Sequence, residues 1–478
     1  MNADSYDIVV LGAGSGGLSV GLTMNKLGFK VLMVAKTDKA IGGDCLNEGC
    51  VPSKALIYVS RILHNVKMAT AFGLKVDGKP DLQKAIEYIY SRQEIIRQHE
   101  NAQWLKDQGI AIELGEAKFS GEKEIEVNGQ KYRAKNIVIA TGSSPKKLNV
   151  PGIELVRYFD NESVFHADNL PEHILVIGGG PIGIEIAQAL RRFEKKVTVV
   201  HHGKSILEHD DETVTSVLLQ KLQQEGIEFW LSASIECFTS FRESTIKLSD
   251  GTKRSLFFDA VFVAIGRELH LQPLQLEKAG IEVMNYKIVV DDYLRTTNKN
   301  VFLCGDIAGG HIFSHEAEFH ARILVNNFLS PFKRKLNNDH LSWVTFTDPE
   351  IAAFGVSEKQ LVERRIKYKR LEADFCNDDR AVVDNYQFGK LILLISEKRM
   401  MRKERILGGT MIAPGAGELV QELILANSQK LSVIAIFNKI YPYPVGARIN
   451  QALIVQHMEE KLTRNVKSFL RIAYRFWG

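Results

Sequence analysis

Two stretches far apart in the chain are built to one plan. Tyr6–Val34 reads YDIVVLGAGSGGLSVGLTMNKLGFKVLMV, and His173–Val200 reads HILVIGGGPIGIEIAQALRRFEKKVTVV. Each opens on a short β-branched run, turns on closely spaced glycines, crosses a helix-length stretch and closes on a second β-branched run. Gly12, Gly14 and Gly17 recur as Gly178, Gly180 and Gly183. Two strands joined through a helix are parallel, because a parallel pair needs a crossover of about a dozen residues or more. Glycines at such a turn let the backbone and the helix start approach a phosphate. The separation is far too long for a solenoid period. The pattern therefore predicts an α/β chain with two separate dinucleotide-binding domains.

Composition agrees with several domains and excludes other classes. The chain has 478 residues, which at roughly 150 per domain gives about three. At 45% hydrophobic and 25% charged it is neither disordered nor a polytopic membrane protein. The formal charge of +4 gives no reason to expect a nucleic-acid partner. Five cysteines cannot make a disulfide scaffold, and the odd count argues against secretion. Ile8–Asn25 is uncharged but follows Asp4 and Asp7, the wrong sign for a signal peptide, and polar residues interrupt it. It reads as strand, turn and helix, and a cytoplasmic location is expected.

Between the two units, Asp81–Gln108 has helical spacing and Ile110–Lys135 is strand-like with turns. Pro145–Pro151 reads as a linker, and Asp259–Gly266 and Asn300–Asp306 as buried strands ending in glycine turns. Beyond Asn337 strands and helices alternate, with helices expected at Glu358–Arg365 and Glu418–Ser428.

The densest chemical signal is Gly42–Lys54, GGDCLNEGCVPSK. In an ideal helix, Cα atoms five residues apart lie roughly 8.7 Å from one another. A disulfide needs less than about 7 Å. Joining Cys45 to Cys50 therefore requires a distorted turn, which Gly49 and Pro52 can supply. A helix start would also favour a thiolate. The alternative is two reduced core cysteines.

These phrases, with ATGSSP at Ala140–Pro145, AIGR at Ala264–Arg267, CGDIAGG at Cys304–Gly310 and FTDPEIAAFG at Phe346–Gly355, form an ordered set. ILGG at Ile406–Gly409 and AGE at Ala416–Glu418 extend it. The set resembles the class I flavin-dependent pyridine nucleotide–disulfide oxidoreductases, the family of dihydrolipoamide dehydrogenase, glutathione reductase and mercuric reductase. The resemblance implies an FAD region at 1–147, an NAD(P) domain at 148–268, a central FAD-completing region at 269–336 and an α+β dimerisation domain at 337–456. It implies a homodimer with FAD, and NADH or NADPH as its second cofactor. Gly12, Gly14, Gly17, Ala35, Gly43, Lys54, Ala117, Thr141, Gly142, Ser143, Gly305 and Asp306 would hold FAD. Gly178, Gly180, Gly183, Glu185, His201 and Gly266 would hold the nicotinamide dinucleotide. A redox-active Cys45–Cys50 disulfide would exchange electrons with a small disulfide, dithiol or other two-electron acceptor. Cys50 would face the flavin and Cys45 would meet the substrate, with Lys54 paired to Glu185 beside the flavin. No metal site is implied, and Cys237, Cys304 and Cys376 read as incidental thiols.

Four positions depart from the family pattern. Ala35, followed by Lys36, replaces the acid expected for the FAD ribose, so Asp38 or water would have to substitute. His201, with His202 and Lys204 after it, replaces the acid of NAD-specific folds. That leans toward NADPH, against the alternative of an exposed turn that tolerates histidine. Pro181 stands where many relatives carry an aromatic gate. The thiol-exchanging relatives end in a His-Pro-Thr-x-x-Glu segment that supplies a base from the partner subunit. Here the aligned residues are Tyr443-Pro444-Val445-Gly446-Ala447-Arg448, with a tyrosine as in mercuric reductase. A tyrosine near pKa 10 is a poor base at neutral pH. Reduction of a metal ion or quinone, or a role as redox sensor, are the alternatives this opens. Finally, 457–478 is basic, with Leu462, Val466, Phe469, Leu470, Ala473, Phe476 and Trp477 on one helical face. It reads either as a helix packed on its own dimer or as a weak membrane-surface contact.

Overall fold

A computed structural model describes residues 4–167, 169–397 and 403–477. Those residues fall into two compact units, 1–204 with 226–336, and 205–225 with 337–478.

In the first unit, the repeated plan appears as the parallel centre of two sheets. β1 (Asp4–Leu11) lies at the centre of the larger one, paired in parallel with β2 (Val31–Ala35) and, through a long crossover, with the end of the chain's sixth strand. β3 (Ala111–Leu114) extends the sheet beyond β2. β4 (Ala117–Gly121), β5 (Glu124–Val127) and β6 (Gln130–Ile139) form an antiparallel meander on the other side, and Val301–Leu303 adds in parallel to β6. Val9, Val10, Ile137 and Val138 are buried, as β-branched runs in the middle of a parallel sheet must be. α1 (Ser15–Lys26) crosses from β1 to β2.

The second sheet repeats the device. β7 (His173–Ile177) pairs in parallel with β8 (Lys196–Val200) and with β9 (Ala260–Val263), and the crossover between β7 and β8 is α4 (Pro181–Arg192). Between these helices come α2 (Gly43–Asn47) and α3 (Cys50–Ala69). α5 (Ser314–Leu329) follows Val301–Leu303. The helical spacing of Asp81–Gln108 yields two helices, Leu82–Arg97 and Ala102–Asp107, because Asn101 caps the second through the Trp104 N–H. The 145–151 linker starts with Ser144–Pro145 paired to Arg267–Glu268.

The second unit is an antiparallel five-stranded sheet, Ser342–Thr345, Glu350–Gly355, Ile406–Ala413, Lys390–Ser396 and Tyr368–Asp374 in spatial order. Helices including Gln421–Ser428 and Arg448–Glu460 cover Phe354, Leu393, Met411, Leu423 and Leu453. The helix Glu212–Gln224 packs here too: Arg370 reaches Asp211 at 2.6 Å, and the Trp343 indole donates to Asp210 at 2.8 Å. The chain ends in α6 (Arg464–Trp477).

Candidate active site

Both glycine turns show the same steric logic. A Cβ on Gly12 would lie 2.2 Å from the Ala140 carbonyl oxygen, and one on Gly178 would lie 2.1 Å from that of Ala264. Both glycines sit at positive φ, +106° and +118°, where side chains are strained. The third glycines close the helix onto the first: a Cβ on Gly17 would strike Gly12 O at 2.0 Å, and one on Gly183 would strike Gly178 O at 2.3 Å. The middle glycines behave differently. Gly14 and Gly180 are N-caps with no side-chain hydrogen bond, so no side chain caps the first N–H groups of either helix, the arrangement that suits a phosphate. Gly43 passes so close to Gly14 that its Cβ would come within 2.7 Å of the Gly14 Cα.

The cysteine pair answers the spacing problem by breaking the helix. α2 stops at Asn47 and α3 begins at Cys50, with the Glu48 and Gly49 N–H groups both donating to the Asp44 carbonyl. A Cβ at Gly49 would meet Asp44 Oδ2 at 2.5 Å. Pro52 falls in the first turn of α3, where its missing N–H leaves no bond unmade. Cys45 and Cys50 come within hydrogen-bonding reach as free thiols. Cys45, acting as donor, pulls the Cys50 thiol down to about 6. Ser314 at the start of α5 adds a contact of 3.5 Å to Cys50 Sγ, and Lys54 adds its charge. The Cys45 thiol moves strongly upward for the complementary reason. The thiolate is thus favoured at Cys50 over Cys45.

Lys54 Nζ lies 2.8 Å from Glu185 Oε2, with Glu185 buried in α4 and Lys54 one turn beyond Cys50 in α3. The two glycine-turn domains thus each contribute one member of this pair.

A network the sequence did not reveal anchors the other side. Ser143 donates to Asp306 Oδ2 at 2.5 Å, and Arg267 donates to Ser143 through Nε at 2.7 Å and to its carbonyl through Nη2 at 2.7 Å. Arg267 also pairs with Asp44 at 3.2 Å. Asp44, Glu48 and Glu162 gather their carboxylate oxygens within 4.8 Å of one another, although the sequence pattern implies no metal site. Burial first, then Glu162, Asp44 and Asp160, pushes the Glu48 carboxyl up to about 7.

The other expected positions lie as follows. His201 is buried rather than exposed, and its Nδ1 accepts from the Gly179 N–H at 3.1 Å. His201 thus braces the glycine loop from within, while His202 and Lys204 are the exposed basic groups of this turn. Ala35 ends β2 and is buried. Asp38, the possible substitute, accepts from the Ala102 N–H at 2.7 Å, and Lys36 pairs with Glu116 at 3.0 Å. Ala117 opens β4, Thr141 and Gly142 form the turn after β6, and Gly266 sits at φ +111°. Gly305 donates its N–H to His320 Nδ1 at 3.2 Å beside Asp306. Tyr443, in the second unit, is exposed and donates to Asp379 at 3.0 Å; that bond raises its pKa further. The Arg448 guanidinium lies 5.5 Å from its ring.

Two glycine turns each opening a helix, a close pair of thiols and the Lys54–Glu185 ion pair define a flavoprotein that moves electron pairs between a nicotinamide and sulfur. The pyridine nucleotide-disulphide oxidoreductase profile matches residues 6–321, and the profile of that family's dimerisation domain matches 341–452. A dihydrolipoyl dehydrogenase from Thermus scotoductus is 30% identical over 92% of this chain and 95% of its own. A mercuric reductase from Bacillus cereus is 29% identical over 92% of this chain and 69% of its own. The Cu(II) complex of the HOCl-induced flavoprotein disulfide reductase RclA from Escherichia coli is similar in fold, with a TM-score of 0.83 at 24% identity, covering 95% and 100% of the two chains. The chain belongs to the pyridine nucleotide–disulfide oxidoreductase family. It is an FAD-dependent NAD(P)H oxidoreductase of the dihydrolipoyl dehydrogenase type, and its dimerisation domain makes it a homodimer.

Proposed function

We propose that Cys45 exchanges with a small disulfide or dithiol, and that Cys50 takes electrons from the flavin side. What carries this reading is the asymmetry of the pair: Cys50 has Ser314 at 3.5 Å and the Lys54 charge beside it, which with the Cys45 hydrogen bond lower its pKa, while that of Cys45 is raised. Bound FAD supplies the two-electron link between a reduced nicotinamide and the sulfur pair. The net reaction is NAD(P)H + H⁺ + RSSR → NAD(P)⁺ + 2 RSH. Gly12, Gly14, Gly17 and Gly43 would admit the pyrophosphate, and Asp306, steadied by Ser143 and Arg267, would hold the ribityl hydroxyls. Lys54, held by Glu185, presents a positive charge to the electron-rich ring. Gly178, Gly180, Gly183 and Gly266 line the nicotinamide dinucleotide. We assign the roles FAD-binding to 1–147, NAD(P)-binding to 148–268, FAD-completing to 269–336 and interface to 337–456. Exposed His202 and Lys204, with no acid at the end of β8, favour NADPH. Five cysteines without a disulfide scaffold fit a cytoplasmic location.

A second reading is reduction of a metal ion. It is favoured by the exposed, acid-bound Tyr443 in place of a base, by the carboxylates of Asp44, Glu48 and Glu162 beside Cys45, and by mercuric reductases among the relatives. Steady-state NADPH and NADH oxidation with lipoamide, glutathione disulfide, quinones, Cu(II) and Hg(II) separates the readings. Disulfide turnover that disappears in Cys45→Ser supports the first. Metal turnover with no disulfide turnover supports the second. NAD(P)H oxidation indifferent to both Cys45→Ser and Cys50→Ser overturns the sulfur route altogether.

A further inference from the structure

α6 lies outside both segments matched by the family profiles, and every one of its described side chains is at least partly exposed. With 3.6 residues per turn, Arg464, Lys467, Arg471 and Arg475 fall within about 80° of arc. Val466, Phe469, Leu470, Ala473, Phe476 and Trp477 occupy about 120° on the opposite side. Phe469 is 66% exposed, Phe476 79% and Trp477 87%. The helix carries no acidic residue. Among the described residues, no helix is long and apolar enough to cross a membrane.

We propose that α6 docks this oxidoreductase on an anionic lipid surface, lying in the plane of the headgroups. The apolar arc enters the acyl boundary, and four cations without a compensating acid meet the lipid phosphates. Charge complementarity selects lipid over a second copy of this chain. The core of a contact between subunits is depleted of charge, and nothing in that setting calls for four uncompensated cations along one flank. Trp477 and Tyr474 lie in the last turn with Arg475, the amphipathic chemistry that suits a headgroup boundary.

The test uses the full-length holoenzyme and sedimentation with vesicles of phosphatidylcholine alone or mixed with phosphatidylglycerol. Binding to the anionic vesicles, weakened by salt and absent from the neutral ones, is expected. Each cation near such a surface contributes about fivefold, so Lys467→Glu with Arg471→Glu lowers partitioning by at least about 25-fold. Phe469→Ser with Phe476→Ser also releases the protein, with its charges intact. Both variants keep NAD(P)H turnover and dimer mass, which shows that they fold. Equal or no binding to the two vesicle types overturns the proposal. Dissociation of the dimer by Phe469→Ser with Phe476→Ser overturns it as well, and assigns this face to a second copy.

Discussion

At the scale of single residues, the chemistry rests on one thiol being made acidic. Cys50 owes its shift first to Cys45 as a hydrogen-bond donor, with Ser314 and the Lys54 charge assisting against burial. Because the pKa is lowered, thiolate is present above it and is lost as pH falls through about 6. In the anaerobically reduced enzyme, iodoacetamide modification should be near its plateau at pH 7 and about tenfold slower at pH 5. Ser314→Ala should move that midpoint upward by roughly one unit, the scale of a lost hydrogen bond to a charged group. An unchanged profile would remove Ser314 from the site. Glu48 shows the opposite sign. Its raised pKa means that the carboxylate destabilises the fold above about 7 and has no such effect below about 4.5, where it is protonated folded or unfolded. Glu48→Gln should stabilise the protein at pH 8 by about 1–2 kcal/mol, a figure already discounted for the half-exposed side chain, with the gain vanishing near pH 4. Thermal midpoints at the two pH values measure it.

At the scale of elements, the broken helix between α2 and α3 carries the sulfur pair. Gly49→Ala places a methyl group 2.5 Å from Asp44 Oδ2 and 2.9 Å from the Asp44 carbonyl oxygen, an atom fixed by accepting the Gly49 N–H. The turn must open, at a cost of about 1–3 kcal/mol, and Cys50 swings away from Cys45. Thiol counting after mild oxidation should then find both sulfurs free, and disulfide turnover should fall by at least about tenfold. The glycine turns, the strand–helix–strand unit at the centre of each sheet and the α2–α3 motif were legible because each is written within some thirty consecutive residues and tied to a backbone constraint. The Arg267–Ser143–Asp306 network was not, since its members come from three distant segments and are brought together only by folding. The one signal was an arginine directly after the glycine that ends a buried strand. Ser314, 264 positions from Cys50, gave no signal at all. His201 misled because a strand-end histidine looks exposed in sequence, whereas its ring fills the space left by Gly179, where a Cβ would lie 2.7 Å from the ring. The segment 205–225, read as continuous with its neighbours, joins the second unit because Arg370 and Trp343 supply partners for Asp211 and Asp210.

At the scale of the whole molecule, the proposed choice between acceptors can be tested at a group that the family places in the interface region. In the family, a histidine–glutamate pair serves the sulfur site from the partner subunit. In this chain the corresponding residues are Tyr443 and Arg448. The tyrosine donates to Asp379, which stabilises its protonated form and makes it still less able to take a proton at neutral pH. A positioned base is worth about 10²–10⁴-fold for a proton-dependent step. Thiol exchange releases and takes up protons at sulfur, whereas delivering electrons to a metal ion bound by thiolates has no such requirement. Tyr443→His with Arg448→Glu should therefore raise turnover with lipoamide about 10²-fold while leaving Hg(II) or Cu(II) turnover within about twofold. Tyr443→His alone should gain less, because the Arg448 guanidinium stacked near that ring disfavours an imidazolium there. The gain should appear as an additional pH-dependent limb near neutrality, since the introduced imidazole titrates in that range beside Cys50 and Glu48. A double variant that speeds neither acceptor would show that proton transfer does not limit this dimer, and would leave the exposed Tyr443 as part of its surface.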